Sequence, residues 1–172
     1  MTIEPGQQLF DLRLYNVMLD GDEMAIAKDG GARRLRDAKN RGMKDYLGTD
    51  SVESHIIGAV GEIAVRALMG KDLVIRSKEG NVADIPPNLQ VRCTRKYGQV
   101  KVRDRDKGGW LLVGCQWMEK KYRGSDCVVV WGQLPVSVAK RLPKKDPGNY
   151  NRPAHWVHWT SFRDITPLIP SR

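Results

Sequence analysis

Glu62, Asp84, Gln90 and Arg92, with His55 beside them, are the residues whose types and spacing carry chemistry in this sequence. Two carboxylates and an amide oxygen are hard ligands of the kind magnesium takes. Arg92 lies two residues beyond Gln90, so on a strand both project from one face. A guanidinium there grips phosphate well but is a poor general base. Hydrolysis of a phosphodiester asks for this inventory: a divalent cation, oxygen ligands to hold it, and a cation on the phosphate or the attacking water. Plainer readings stand beside it. Arg66 is four residues beyond Glu62, the spacing of a helical ion pair. Asp84 before Pro86-Pro87 suits a turn. Gln90 and Arg92 suit the solvent face of a strand, and His55 suits a structural or capping role.

A helix must present Glu62. Over residues 50–69, Ile56, Val60, Ile63, Ala64 and Ala67 form one apolar stripe. His55, Gly58, Ala59, Glu62 and Arg66 form the adjacent one. Asp50 with Glu53 resembles a capping box, and Gly70 marks the end. Gly58 and Gly61 weaken such a helix unless a sheet or a ligand comes close. Pro86-Pro87-Asn88 excludes helix and central strand. A strand over 89–94 then carries Gln90 and Arg92, and Gly98 separates it from a second alternating strand over 99–103.

Further strands are expected at 10–14, 73–76, 110–115, 127–131 and 155–159, joined by short turns. Asp20 or Asp22 is placed to cap a helix over 22–40, which Gly30-Gly31 predicts to be broken or kinked. Its second half carries Arg33, Arg34, Arg36 and Lys39, read either as a solvated face or as a phosphate-contacting arm. Residues 135–141 read as a short helix or turn, 142–153 as a loop, and 162–168 as a tail tucked onto the core. No internal repeat interrupts the 172 residues, which read as one α+β domain with a mixed, mainly antiparallel central sheet flanked by helices. Within it, residues 1–48 form an N-terminal strand and basic helix, and 49–172 the core.

The order helix-Glu, then Asp, then (Glu/Gln)-x-Lys on a strand resembles the PD-(D/E)XK nucleases, the restriction-endonuclease-like fold. His55-Ile56-Ile57-Gly58-Ala59-Val60-Gly61-Glu62, followed by Asp84 and Gln90-Val91-Arg92-Cys93-Thr94, is similar to a group of small phage proteins. The likeness extends through Val128-Val129-Val130-Trp131-Gly132 to the Phe162-Arg163-Asp164-Ile165-Thr166-Pro167-Leu168 tail. It covers about residues 50–170. The resemblance implies an αβββαβ-type core, with Mg²⁺ or Mn²⁺ held by Asp84 and Gln90 and with Glu62 near it. It implies metal-dependent cleavage of nucleic acid in the cytoplasm of a bacterial host. Gln90 stands where the pattern has an acid, and Arg92 where it has Lys. These departures keep the alternative open, a protein of the same fold that binds nucleic acid or a host protein without cutting.

The formal net charge is +9 and the pI about 9.6, so a polyanion is the first partner to expect, DNA ahead of RNA. Arg95, Lys96, Lys101, Arg103, Arg105 and Lys107 follow the site closely and predict a two-stranded basic ribbon for a nucleic-acid backbone. Of the tryptophans, Trp117, near Lys120, Lys121 and Arg123, is the candidate for base stacking, and the other four read as core. Three cysteines without a CxxC pair predict reduced core thiols rather than a zinc site. The sequence holds no apolar run long enough to span a bilayer and no signal-peptide pattern.

Overall fold

The computed structural model describes residues 14–41, 52–75, 82–95, 98–122, 125–146 and 153–169. Helix α1 spans Gly21–Asn40 and begins where its cap allows. Asp20 accepts from the Glu23 amide at 2.8 Å while the Glu23 carboxylate accepts from the Asp20 amide at 2.9 Å, a reciprocal capping box. Instead of breaking at Gly30-Gly31, the helix continues through them. A Cβ on Gly30 would lie 2.4 Å from Ile75 Cβ, and one on Gly31 2.7 Å from the Ile56 backbone. The lost helix propensity, about 1 kcal/mol per glycine, is offset by close packing against Ile75 and against helix α2 (Val52–Leu68). From Ala59 to Arg66 every residue of α2 is buried, as expected of a helix enclosed on all sides.

Strands β1 (Tyr15–Leu19), β2 (Leu89–Thr94), β4 (Leu111–Tyr122) and β5 (Ser125–Pro135) form a mixed four-stranded sheet in the order β1-β5-β4-β2. β2 runs parallel to β4, and the other neighbours are antiparallel. A second, antiparallel sheet has the order β3-β7-β6, from Gln99–Val102, Ala154–His158 and Lys144–Lys145. Helix α3 (Val136–Ala139) follows β5 directly.

Alternation along β4 explains why there are two sheets. Val113, Cys115 and Trp117 face the cluster that contains Ala59, Val60, Ile63 and Val91 under α2. Leu112 joins the cluster of Val100, Val102, Trp131, Val157 and Phe162. The four-stranded sheet thus has α1 and α2 on one face and the small sheet, with α3, on the other.

Several expectations are corrected. β2 and β3 do not form a hairpin: β2 lies beside β4, with Gln90 opposite Leu112, and β3 pairs with β7, with Lys101 opposite Trp156. Gly98, at φ 76°, carries the chain between the sheets. Val100 and Val102 then bury in the second core while Val91 buries in the first. Residues 73–75 form no strand; Ile75 instead packs on Gly30, and Arg76 lies outside the described residues. A strand is found at Tyr15–Leu19; of the strand expected at 10–14, residues 10–13 lie outside the described residues, as does Asp50. The tail behaves as expected, with Phe162 and Ile165 buried.

Candidate functional site

A tight turn sets Asp84 over the start of β2. Ile85 and Leu89 exchange backbone hydrogen bonds of 3.0 and 2.9 Å around the Pro86-Pro87 pair. Asp84 is thereby folded back so that its Oδ2 accepts from Gln90 Nε2 at 2.5 Å and from the Val91 amide at 2.8 Å. Gln90 and Arg92 do share a face, as strand alternation requires. Arg92 Nη1 lies 4.0 Å from Asp84 Oδ2, and its Nη2 donates to both carboxylate oxygens of Asp106, at 3.1 and 3.2 Å. Asp106 also accepts from the Arg103 amide at 2.9 Å. Gln90 and Asp84 are buried rather than on a solvent face, and Arg92 is half-buried.

The structure brings Asp84, Gln90 and Arg92 together and adds Asp106, which sequence reasoning missed. Asp106 reads locally as one acid of a polar turn, and only the tertiary fold carries it to Arg92. Glu62 is arranged differently. α2 packs on the Val91/Cys93 face of β2, where a Cβ on Gly61 would sit 2.5 Å from Cys93 Cβ. Gln90 and Arg92 point to the opposite face. Glu62 is gripped by Arg34 of α1 in a bidentate pair, Nη1–Oε1 2.5 Å and Nη2–Oε2 2.7 Å. Arg66, the expected i+4 partner, donates instead to the carbonyls of Asp72 at 3.2 Å and Asp84 at 3.1 Å. It braces the Asp84 turn through its backbone. His55 is half-buried near the start of α2.

As arranged, the donor set suits a divalent cation poorly. Gln90 turns its amide hydrogens, not its oxygen, toward Asp84, and Arg92 already supplies positive charge beside that carboxylate. Glu62 is neutralised by Arg34. Among the described residues, no three His, Cys, Asp or Glu side chains are grouped to hold a metal ion. A cation bridging Asp84 and Gln90 would need the amide to turn over.

Thiol chemistry is no substitute. Burial pushes the Cys93 thiol up to about 12 and raises those of Cys115 and Cys127 as well, so all three stay protonated and non-nucleophilic near neutral pH. They are free thiols, as expected. Outside the core, the Lys144 hydrogen bond, reinforced by His155, lowers the Asp104 carboxyl from its ordinary range.

The expected basic ribbon is dispersed. Arg95 pairs with Glu53 at 2.5 Å and Glu119 at 3.2 Å and lies 4.1 Å over the Trp117 ring, fastening α2 to β4. Lys96 is outside the described residues. Lys101, Arg103, Arg105 and Lys107 are exposed, on β3 and in the turn after it. Trp117 is buried, its indole N–H donates to Asp126 at 2.9 Å, and Arg95 covers its ring, so it offers no face to a base. In α1, Arg33 donates to the Ile75 carbonyl at 2.5 Å and Arg34 holds Glu62, so neither acts as a phosphate arm in this arrangement. No helix among the described residues is long and apolar enough to cross a membrane. Comparison with protein-family models, curated proteins and solved structures finds no match.

Proposed function

We propose that this protein binds nucleic acid on a restriction-endonuclease-like scaffold, with the group around Asp84 serving as a rigid support rather than a hydrolytic centre. The disposition of charge carries this reading. The acids of the candidate site are held by inward cations and amides, Glu62 by Arg34 and Asp84 by Gln90, Val91 and Arg92. Lys101, Arg103, Arg105, Lys107 and Lys145 lie at the surface. Together with the net charge of +9, that leaves an outward positive excess that a phosphate backbone complements. The scaffold assignment rests on order and placement: α2 bears Glu62 and packs on β2, Asp84 opens the turn that leads into β2, and Gln90 and Arg92 alternate along it.

Labelled DNA is expected to bind in the presence of EDTA. With about five phosphates neutralised, affinity falls roughly 500-fold between about 50 and 200 mM salt. Binding that ignores salt refutes the proposal. Cleavage with Mg²⁺ or Mn²⁺ is the second reading, favoured by the convergence of Asp84, Gln90 and Arg92 on one contact group. Metal-dependent cutting of DNA or RNA that Asp84→Asn abolishes would establish it in place of simple binding. Capture of a host protein at high salt, with no nucleic-acid shift, would replace both.

A further inference from the structure

The second sheet has one face in the core and one turned outward, and the outward face carries a particular chemistry. Directly opposed residues of antiparallel strands project to the same side, as do residues two apart on one strand. The pairs Gln99–His158, Lys101–Trp156 and Lys145–Ala154 therefore set Gln99, Lys101, Lys145, Trp156 and His158 on a single face. Val100, Val102 and Val157 point the other way, into the core. Gln99, Lys101, Lys145 and His158 are exposed and Trp156 is half-buried.

Trp156 is held in place rather than packed away. Its indole N–H donates to the Lys145 carbonyl at 3.1 Å, and the Lys101 ammonium lies 4.7 Å over its ring. Beside it the exposed His158 imidazole stands on the same face, 5.8 Å from the ring of Trp159, which itself packs against the core beneath the sheet. The Trp156 indole and the His158 imidazole, set among lysines on an open sheet, suit a single strand of nucleic acid, in which bases stack on rings while cations follow the backbone. A duplex cannot use the rings, because its bases already stack on each other.

We infer that the outer face of the β3-β7-β6 sheet is a stacking surface for single-stranded nucleic acid. This rests on the nucleic-acid-binding reading above and specifies the strand state and the place. On binding, a base takes the face of Trp156 and the Lys101 ammonium moves from the ring to a phosphate. The exchange is favourable because a base stacked on tryptophan outweighs an exposed cation–π contact.

The test uses the full chain and a fluorescently labelled oligo-dT of about 15 nucleotides, with oligo-U and a blunt duplex of equal length as parallel arms. Wild-type protein is expected to prefer the single strands, with quenching of tryptophan fluorescence. Trp156→Ala should weaken oligo-dT binding about tenfold and leave duplex binding unchanged. Trp156→Phe, which keeps a ring, should restore most of the loss and guards against misfolding of the alanine variant. Lys101→Glu, at an exposed position, should also weaken the single strand. Equal loss on oligo-dT and oligo-U means the face reads the shared backbone and base rings; loss on one alone, repeated with oligo-dU to match the base, assigns the strand to that sugar. Nucleic-acid binding that none of these variants alters overturns the stacking surface while leaving the proposed function intact. No binding of any strand by wild-type protein overturns both.

Discussion

The bidentate pair between Arg34 and Glu62 separates a structural acid from a catalytic one. Glu62 is 2% exposed, and the Arg34 side chain 11%. Both oxygens and both terminal nitrogens are used, at 2.5 and 2.7 Å. Glu62→Gln keeps the shape and removes the carboxylate charge that faces the Arg34 guanidinium in the contact between α1 and α2. Breaking one side of such a buried pair costs about 3–5 kcal/mol, a large share of the roughly 5–15 kcal/mol that keeps a domain folded. With a urea m-value of about 2–3 kcal/mol/M, the unfolding midpoint should fall by about 1–2.5 M. Arg34→Met alone should do similar damage. The double variant Arg34→Met with Glu62→Leu should recover most of the loss, because apolar replacement of both partners removes the desolvation cost. With the Glu62→Leu single variant added, the cycle of Arg34→Met, Glu62→Leu and their double cancels other contacts that Arg34 makes. An acid kept for metal binding behaves oppositely, since neutralising it relieves repulsion among ligands. A midpoint that is unchanged or raised in Glu62→Gln, with no recovery in the double variant, would refute the structural assignment.

The two glycines of α2 should respond with opposite signs. A Cβ at Gly58 meets nothing within 4 Å, so Gly58→Ala should stabilise the protein by about 0.5–1 kcal/mol in urea unfolding. A loss of nucleic-acid affinity in that variant would show that a ligand approaches there instead. At Gly61 the added methyl would sit 2.5 Å from Cys93 Cβ, and overpacking of that kind costs about 1–3 kcal/mol; an unchanged midpoint would count against the α2–β2 contact. For the thiols, Cys93 rises from an ordinary 9.0 to about 12 through burial. Its contribution to stability is full below the unfolded thiol pKa and is lost as pH climbs from there toward the folded value. Ellman's reagent at pH 8 should label Cys115 and Cys127 only slowly in the native protein and fully in denaturant, with the half-buried Cys93 reacting first; prompt native labelling of Cys115 or Cys127 would contradict their burial.

What was legible in the sequence is what is local. Asp20 and Glu23 are three residues apart, so the cap of α1 can be read directly, and the apolar density of residues 56–67 announces a buried helix. Asp84, Gln90 and Arg92 fall within nine residues, and one turn plus strand alternation is enough to join them. The partners of Glu62 and Arg92 were not legible, because Arg34 and Asp106 reach them across 28 and 14 residues of chain. An arginine among several on a basic helix gives no sign that it will be the one turned inward. β3 was misplaced for a related reason: Val100 and Val102 alternate as they would in a hairpin with β2, and periodicity is silent about which core receives them.

The tryptophans show how this reshapes the functional reading. Cationic neighbours in sequence single out Trp117, but β4 turns that ring inward, and one of the nearby cations, Arg95, covers it. Trp156 sits in an alternating strand that looks like core, yet its register with Lys101 places it on the outer face of a sheet whose inner face is already filled by valines. Charge near an aromatic residue in sequence is therefore weak guidance to a binding face. The side of the sheet decides, and that side is set by β3 leaving β2 to pair with β7. The departure that dissolved the expected basic ribbon is the same one that brings Lys101, Trp156 and Lys145 together.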